Sequence, residues 1–173
     1  LGLYVANHGV PAPFVLVIVL ATGAILGTMN ALLIKKFDLP SFILTLGSSY
    51  VIKGMLGFFT NEQFIGSDKE WYNALATTPI IGDILKSNAL IFVAVIVIFA
   101  FVMKNTRFGK YTYAVGSNPE AASLSGIDTD KHVIKVFIIE GMLAAVAGLL
   151  IISNLQGGAS KDANGLDLFA MAA

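Results

Sequence analysis

The chain has 173 residues, 56% of them hydrophobic and 13% charged, with 11 basic side chains balancing 11 acidic ones. Soluble domains carry about 25% charged residues, so this composition, with a mean hydropathy of +0.79, excludes a soluble globular protein and specifies an integral membrane protein. Zero net charge and no basic run longer than Lys35-Lys36 exclude a nucleic-acid surface, and the lack of cysteine excludes disulfides, thiolate metal sites and a cysteine nucleophile. His8 and His132 stand too far apart to suggest a metal.

No charged segment precedes the first apolar run, so that run is not read as a signal peptide, and the chain is read as an interior piece of a longer protein. Phe14 to Ile34 is 21 residues without a charge, which at 1.5 Å per residue reaches about 31 Å and matches a hydrocarbon core of about 30 Å. Ser41 to Thr60 is the second span, opened by Pro40, where a missing N–H costs nothing. It is interrupted by Lys53, placed to snorkel toward the outer interface. Ala89 to Met103 is short but unbroken and rich in Val, Ile and Phe; Ser87 and Asn88 extend it at the boundary. A fourth span runs from Val133 to Leu155 and carries Glu140. The fold class is therefore an all-α polytopic transmembrane bundle in contact with membrane lipid.

Basic residues concentrate on the cytoplasmic side of membrane proteins. Lys35, Lys36, Lys104, Arg107, Lys110, Lys131 and Lys135 fall in loops that alternate consistently to one side, against Lys69, Lys86 and Lys161 on the other. This makes 104–132 a cytoplasmic loop and 61–88 an extracytoplasmic one, with Trp71 and Tyr72 expected at the interface.

Helical periodicity places Gly23, Gly27 and Asn30 on one face of the first span, and Ser41, Thr45, Ser48, Ser49 and Ile52 on one face of the second. On the fourth, Glu140, Ala144, Ala147, Gly148 and Ile151 form a stripe that Asn154 nearly joins. Gly23, Gly27, Ala144 and Gly148 are read first as packing positions. Asn30, Thr45, Ser48, Glu140 and Asn154 are the expected lining of a transport path. An acid within a span requires a bundle interior, a cavity or a partner, with headgroup water or Lys135 as the plainer alternative for Glu140.

Between the third and fourth spans the loop writes a short helix. Asn118 is an N-cap, Pro119 fits the first helical position, Glu120 suits the positive end of the dipole and Gly126 is a C′ stop. Two turns are marginal alone in water, so the helix must pack on its own protein or on a partner.

The element Glu120-Ala121-Ala122, followed after three residues by Gly126, resembles the EAA loop of ABC-importer permeases. The run NTRFGKYTYAVGSNPEAASLSGI from Asn105 to Ile127 resembles the form found in ribose/galactose/xylose-type sugar permeases. The resemblance continues through GTMNALLIKKFDLPSFILTLG from Gly27, GMLAAVAGLL from Gly141 and GLDLFAMAA at the end. It implies a partial transmembrane domain over 1–173, belonging to a permease of the bacterial cytoplasmic membrane. Such a permease works as a homodimer with cytoplasmic ABC ATPase subunits and an extracytoplasmic sugar-binding protein. Asn118, Pro119, Glu120, Ala121, Ala122, Ser125 and Gly126 would then form the coupling helix that docks on the ATPase. Three positions depart from the family pattern: Asp167 for the usual Glu, Phe169 where Asp is frequent, and Glu140 where a small or hydroxylic residue is common.

The chain has no Walker A of its own. Gly109-Lys110 is followed by Tyr111, and Lys104 stands where the upstream glycine belongs. No enzymatic activity and no cofactor are expected, since the partner subunit would bind ATP. The alternatives are an ABC permease for nucleosides or branched-chain amino acids, and a proton-coupled secondary transporter using Glu140. An intramembrane enzyme pairing Glu140 with His132 lacks a second acid in the span.

Overall fold

The computed structural model describes residues 1–158 except 62, 68 and 82–84, with 79–81, 85 and 86 described by backbone alone. Lys161, Asp167, Phe169 and the terminal GLDLFAMAA segment lie outside the described residues. In chain order the elements are α1 (Gly2–Asn7), α2 (Ala12–Phe37), α3 (Ser41–Thr60), β1 (Ile65–Gly66), α4 (Glu70–Thr77), β2 (Pro79–Ile81), β3 (Leu85–Lys86), α5 (Ser87–Asn105), α6 (Arg107–Ser117), α7 (Pro119–Leu124), α8 (Thr129–Asn154) and β4 (Gly157–Gly158). Helices α2, α3, α5 and α8 are long and apolar enough to cross a membrane, as the composition requires. The strands are minimal: β1 pairs antiparallel with β4, and β2 with β3.

The second span has the bounds read from the sequence, Ser41–Thr60, whereas the first, third and fourth each run past an end read there, because an uncharged run stops at the first Lys and a helix does not. Helix α2 continues through Lys35 and Lys36, which favour its C-terminal dipole, and ends at Asp38 in the left-handed region, φ +50°. Helix α8 starts at Thr129 rather than Val133, because the Asp128 carboxylate caps it by accepting from the Lys131 N–H at 3.0 Å. The same carboxylate pairs with the Lys131 ammonium at 2.8 Å. The hydrogen bonds from Lys131 hold the Asp128 carboxyl below its ordinary range.

Antiparallel packing of α2 on α8 is the centre of the molecule. Gly23, Gly27 and Gly141 bring the two backbones together: a Cβ at Gly23 would meet the Gly141 carbonyl oxygen and lie 2.7 Å from Ala145 Cβ, and one at Gly27 would meet the Phe137 carbonyl. Small residues of this kind allow the close approach on which helix association in lipid depends, so Gly23 and Gly27 serve packing, as read. At the end assigned to the cytoplasm, Lys35 of α2 pairs with Asp130 of α8 at 2.6 Å. Both residues are over half exposed, so this contact adds little stability, but it places the C-terminus of α2 and the N-terminus of α8 on one side, as the charge pattern requires.

At the opposite end the described residues of the loop 61–88 form a folded cap. Tyr72 of α4 is 1% exposed and packs in a cluster with Leu3, Ala6, Val15, Val19 and Leu149. The interfacial role expected for Tyr72 is corrected accordingly, because Tyr72 and Ala76, one turn apart, form the buried face of α4. Asn7 donates to the Gly66 carbonyl at 2.8 Å and joins α1 to the same cap. By contrast α3 and α5 have no buried residue, and side chains such as Phe58, Val97 and Phe101 are exposed. In hydrocarbon that exposure costs nothing, because lipid tails are as apolar as the side chains.

Candidate functional site

The loop between α5 and α8 is more structured than the sequence indicated. Helix α6 was not expected, since RFGKYTYAVGS carries two glycines and several aromatic or β-branched residues of low helix propensity. Two things hold it: Thr106 caps it by accepting from the Gly109 N–H at 3.3 Å, and Gly109 and Val115 bury against the rest of the protein.

A single residue, Asn118, separates α6 from α7. Its side chain caps α7 by accepting from the Ala121 N–H at 3.0 Å, as expected. At the other end the Ile127 N–H donates to the Ala122 carbonyl at 3.1 Å and the Gly126 N–H to the Ser123 carbonyl at 2.9 Å. Those two bonds constitute a Schellman motif, with Gly126 at φ +83° as its left-handed C′ residue. The Ser125 hydroxyl donates back to the Ala121 carbonyl at 2.9 Å. Ala122, 4% exposed, faces the protein. Glu120 and Ala121 face out, and Leu124 stands 91% exposed. Sequence reasoning missed Leu124, although a large aliphatic residue at the end of a loop helix was a signal for docking.

The five expected path residues do not converge. The Thr45 hydroxyl donates to the Ser41 carbonyl at 2.9 Å and the Ser48 hydroxyl to Thr45 at 3.0 Å, so both are satisfied within α3. Asn30 of α2 has a buried side-chain oxygen with no hydrogen-bond donor. Glu140, Ala144, Ala147, Ile151 and Asn154 lie on an exposed face of α8, turned away from α2. Glu140 lines a groove of about 480 Å³ between α5, α6 and α8, together with Phe99, Phe108 and Leu143. It has no ion-pair partner among the described residues.

A larger cavity, about 740 Å³, opens at the other end, enclosed by α1, α2, α3, α4 and α8. Its polar groups include Thr22, Thr60, Gln63 and Tyr72, and Gly148 forms part of its wall. None of the five expected residues lines it. Gly148 does not serve close approach: a Cβ there would meet nothing within 4 Å. Periodicity puts Gly148 on a definable face, but which space that face borders depends on α3 and α4, distant in sequence.

Comparison with known proteins bears out the resemblance to sugar permeases of ABC importers. The family model described as the branched-chain amino acid transport system / permease component matches residues 1–173. The probable ABC transporter permease protein YphD of Escherichia coli K12 is 35% identical over 79% of this chain and 41% of its own length. The galactose/methyl galactoside import permease MglC of Haemophilus influenzae is 30% identical over 82% of this chain and 44% of its own. The fructose import permease FruG of Bifidobacterium longum is 28% identical over 99% and 53% respectively. The chain thus spans about half the length of these curated relatives, and no solved structure matches it. With a match along its whole length and four apolar spans, the chain belongs to the family of branched-chain amino acid transport system permease components and is a multi-pass membrane protein.

Proposed function

We propose that this chain is part of the permease subunit of an ATP-driven importer, which moves a monosaccharide across the bacterial cytoplasmic membrane. The observation that carries the reading is α7, capped at both ends, with Leu124 and Glu120 presented outward at the end of the molecule opposite the larger cavity. An ATPase docking on that helix acts on one end of the bundle while substrate enters at the other. The cavity volume falls in the range of small-molecule sites, about 300–1,000 Å³, and relatives named for galactose, fructose and L-arabinose transport favour sugars over nucleosides or amino acids. In this reading the chain contributes no catalytic residue. The partner ATPase binds and hydrolyses ATP, a second permease copy completes the pathway, and an extracytoplasmic binding protein delivers the sugar.

The test is uptake of labelled D-galactose, D-fructose and L-arabinose, with leucine and uridine as competing probes, in vesicles holding the full-length permease and its ATPase. Uptake of a sugar that requires ATP and persists with a protonophore is expected. Uptake that collapses with the proton gradient while ATP is maintained would replace the reading with secondary transport through Glu140. In the same vesicles Gly148→Leu should fit without steric conflict yet fill the cavity, lowering uptake about tenfold or more at unchanged permease levels. Unchanged uptake would move the path elsewhere.

A further inference from the structure

Besides the aromatic Tyr72, two polar side chains are buried among the described residues, His132 at 6% exposure and Ser153 at 0%, and they stand near opposite ends of α8. Their separation of 21 residues corresponds to about 31 Å along the helix. The His132 ring sits 5.1 Å from the Phe108 ring and 6.1 Å from that of Tyr111, centroid to centroid, with Nε2 2.9 Å from the Thr112 hydroxyl. That hydroxyl also lies 2.9 Å from the Phe108 carbonyl, and with its proton directed there the His132 Nε2–H donates in the bond that ties α8 to α6.

At the other end the Ser153 hydroxyl donates to the Tyr72 carbonyl at 2.5 Å and accepts from the Ala76 N–H at 3.1 Å. It thereby grips one turn of α4. A carbonyl of the same turn, that of Asn73, lies 3.2 Å away. The Ser153 bonds to Tyr72 and Ala76 are shielded from water, where hydrogen bonds are stronger and fix geometry more tightly, and the Thr112–His132 bond is partly shielded.

We propose that α8 is a strut with two joints, and that His132 and Ser153 are positioning residues that carry movement of the inner loop to the outer cap. The proposal rests on the reading of α7 as the coupling helix. Displacement of α7 reaches α6 through the single residue Asn118, passes to α8 at the Thr112–His132 bond alongside the direct contact of α7 with α8, and arrives at α4 through Ser153. Tyr72, on the gripped turn, lines the larger cavity, so the cavity changes when the strut moves. Helix α2, locked to α8 by the glycine contacts, moves with it.

The 173 residues hold no cysteine, which permits a direct test. A single cysteine replaces Thr60 in the cavity wall of the full-length permease, freed of any other cysteines and assembled with its ATPase. Its labelling rate by a membrane-impermeant maleimide is then measured with and without MgATP and vanadate. In the otherwise native protein nucleotide should change the rate several-fold. His132→Ala and Ser153→Ala should each reduce that change about fivefold to tenfold, the worth of one hydrogen bond, without altering the nucleotide-free rate. His132→Gln, which returns an N–H near the position of Nε2, should restore most of the response. The double alanine variant should be no worse than the poorer single one, because joints in series do not add.

If Gly126→Val abolishes the response while both alanine variants stay within twofold of native, the strut is wrong and the coupling helix stands. A native-like response in Gly126→Val, or none in the native protein, overturns the coupling reading and the strut with it. Loss of the alanine variants from the membrane, shared by His132→Gln and Ser153→Thr, would make both residues merely structural and overturn the proposal.

Discussion

Gly27→Leu should leave almost no folded permease in the membrane. A Cβ at this position would collide with the Phe137 carbonyl oxygen and lie 2.9 Å from its carbon. Those are backbone atoms, which no change of rotamer can move aside. The same holds reciprocally between Gly23 and Gly141. In lipid the hydrophobic effect does not drive helices together, so α2 and α8 stay paired through close van der Waals contact, and separation by even 0.5–1 Å forfeits about a quarter to a half of each such contact. Overpacking at one such site costs about 3 kcal/mol, which shifts a folding equilibrium by about a hundredfold. Gly47→Leu and Gly54→Leu in α3 are the controls, since nothing lies within 4 Å of a Cβ at either. Membrane levels and thermal stability in detergent of the three variants provide the measurement. Equal survival of Gly27→Leu and Gly47→Leu would show that the α2–α8 contact is dispensable.

What the sequence made legible divides along the range of the interaction. The spans followed from apolar length, their alternation from the placement of lysine and arginine, and the caps of α7 from residues within one turn of each other. Asn118 and Gly126 act as read because capping is local. Helix α6 was not legible, since its intrinsic propensity is poor and the Thr112–His132 bond forms only once α8 lies alongside. Ser153 looked like one more hydroxyl at the end of a span, and its partners lie about eighty positions earlier, in α4. The path residues show the same limit. Periodicity identified a true face on α8, but the partner of that face is not written in α8, and the hydroxyls of Thr45 and Ser48 found acceptors in their own helix. The close-packed glycines of α2 were recognisable as packing residues, whereas their register against Gly141 required the folded pair.

Gly126→Val should give a folded, membrane-inserted permease that no longer couples. Its φ of +83° is a region in which an L side chain is strained by about 1–2 kcal/mol, and nothing lies within 4 Å of a Cβ there, so the penalty is torsional and confined to the end of α7. Relief of that strain requires φ to turn negative, which breaks the Ile127–Ala122 and Gly126–Ser123 bonds and swings Leu124 and the carbonyl end of the helix away from their present aim. Because the bundle core lies elsewhere, on α2 and α8, the amount of permease in the membrane should not fall. A graded series separates geometry from bulk: Gly126→Asn, which tolerates the left-handed region, should couple nearly as well as glycine, Gly126→Ala less well and Gly126→Val least. Glu120→Lys attacks the other end, setting a cation against the positive pole of the helix at a cost of about 0.3–1 kcal/mol and reversing the charge offered to the ATPase. Both Gly126→Val and Glu120→Lys should lower transport and substrate-stimulated ATP hydrolysis about tenfold or more, since a small misplacement of a docking element is amplified in the step that it positions. Stimulated hydrolysis in the reconstituted complex, normalised to permease content, measures this. Native coupling in both variants would remove the assignment of α7, and coupling that follows side-chain volume rather than tolerance of the left-handed region, with Asn as poor as Val, would assign the effect to contact with the ATPase surface instead of the Schellman turn.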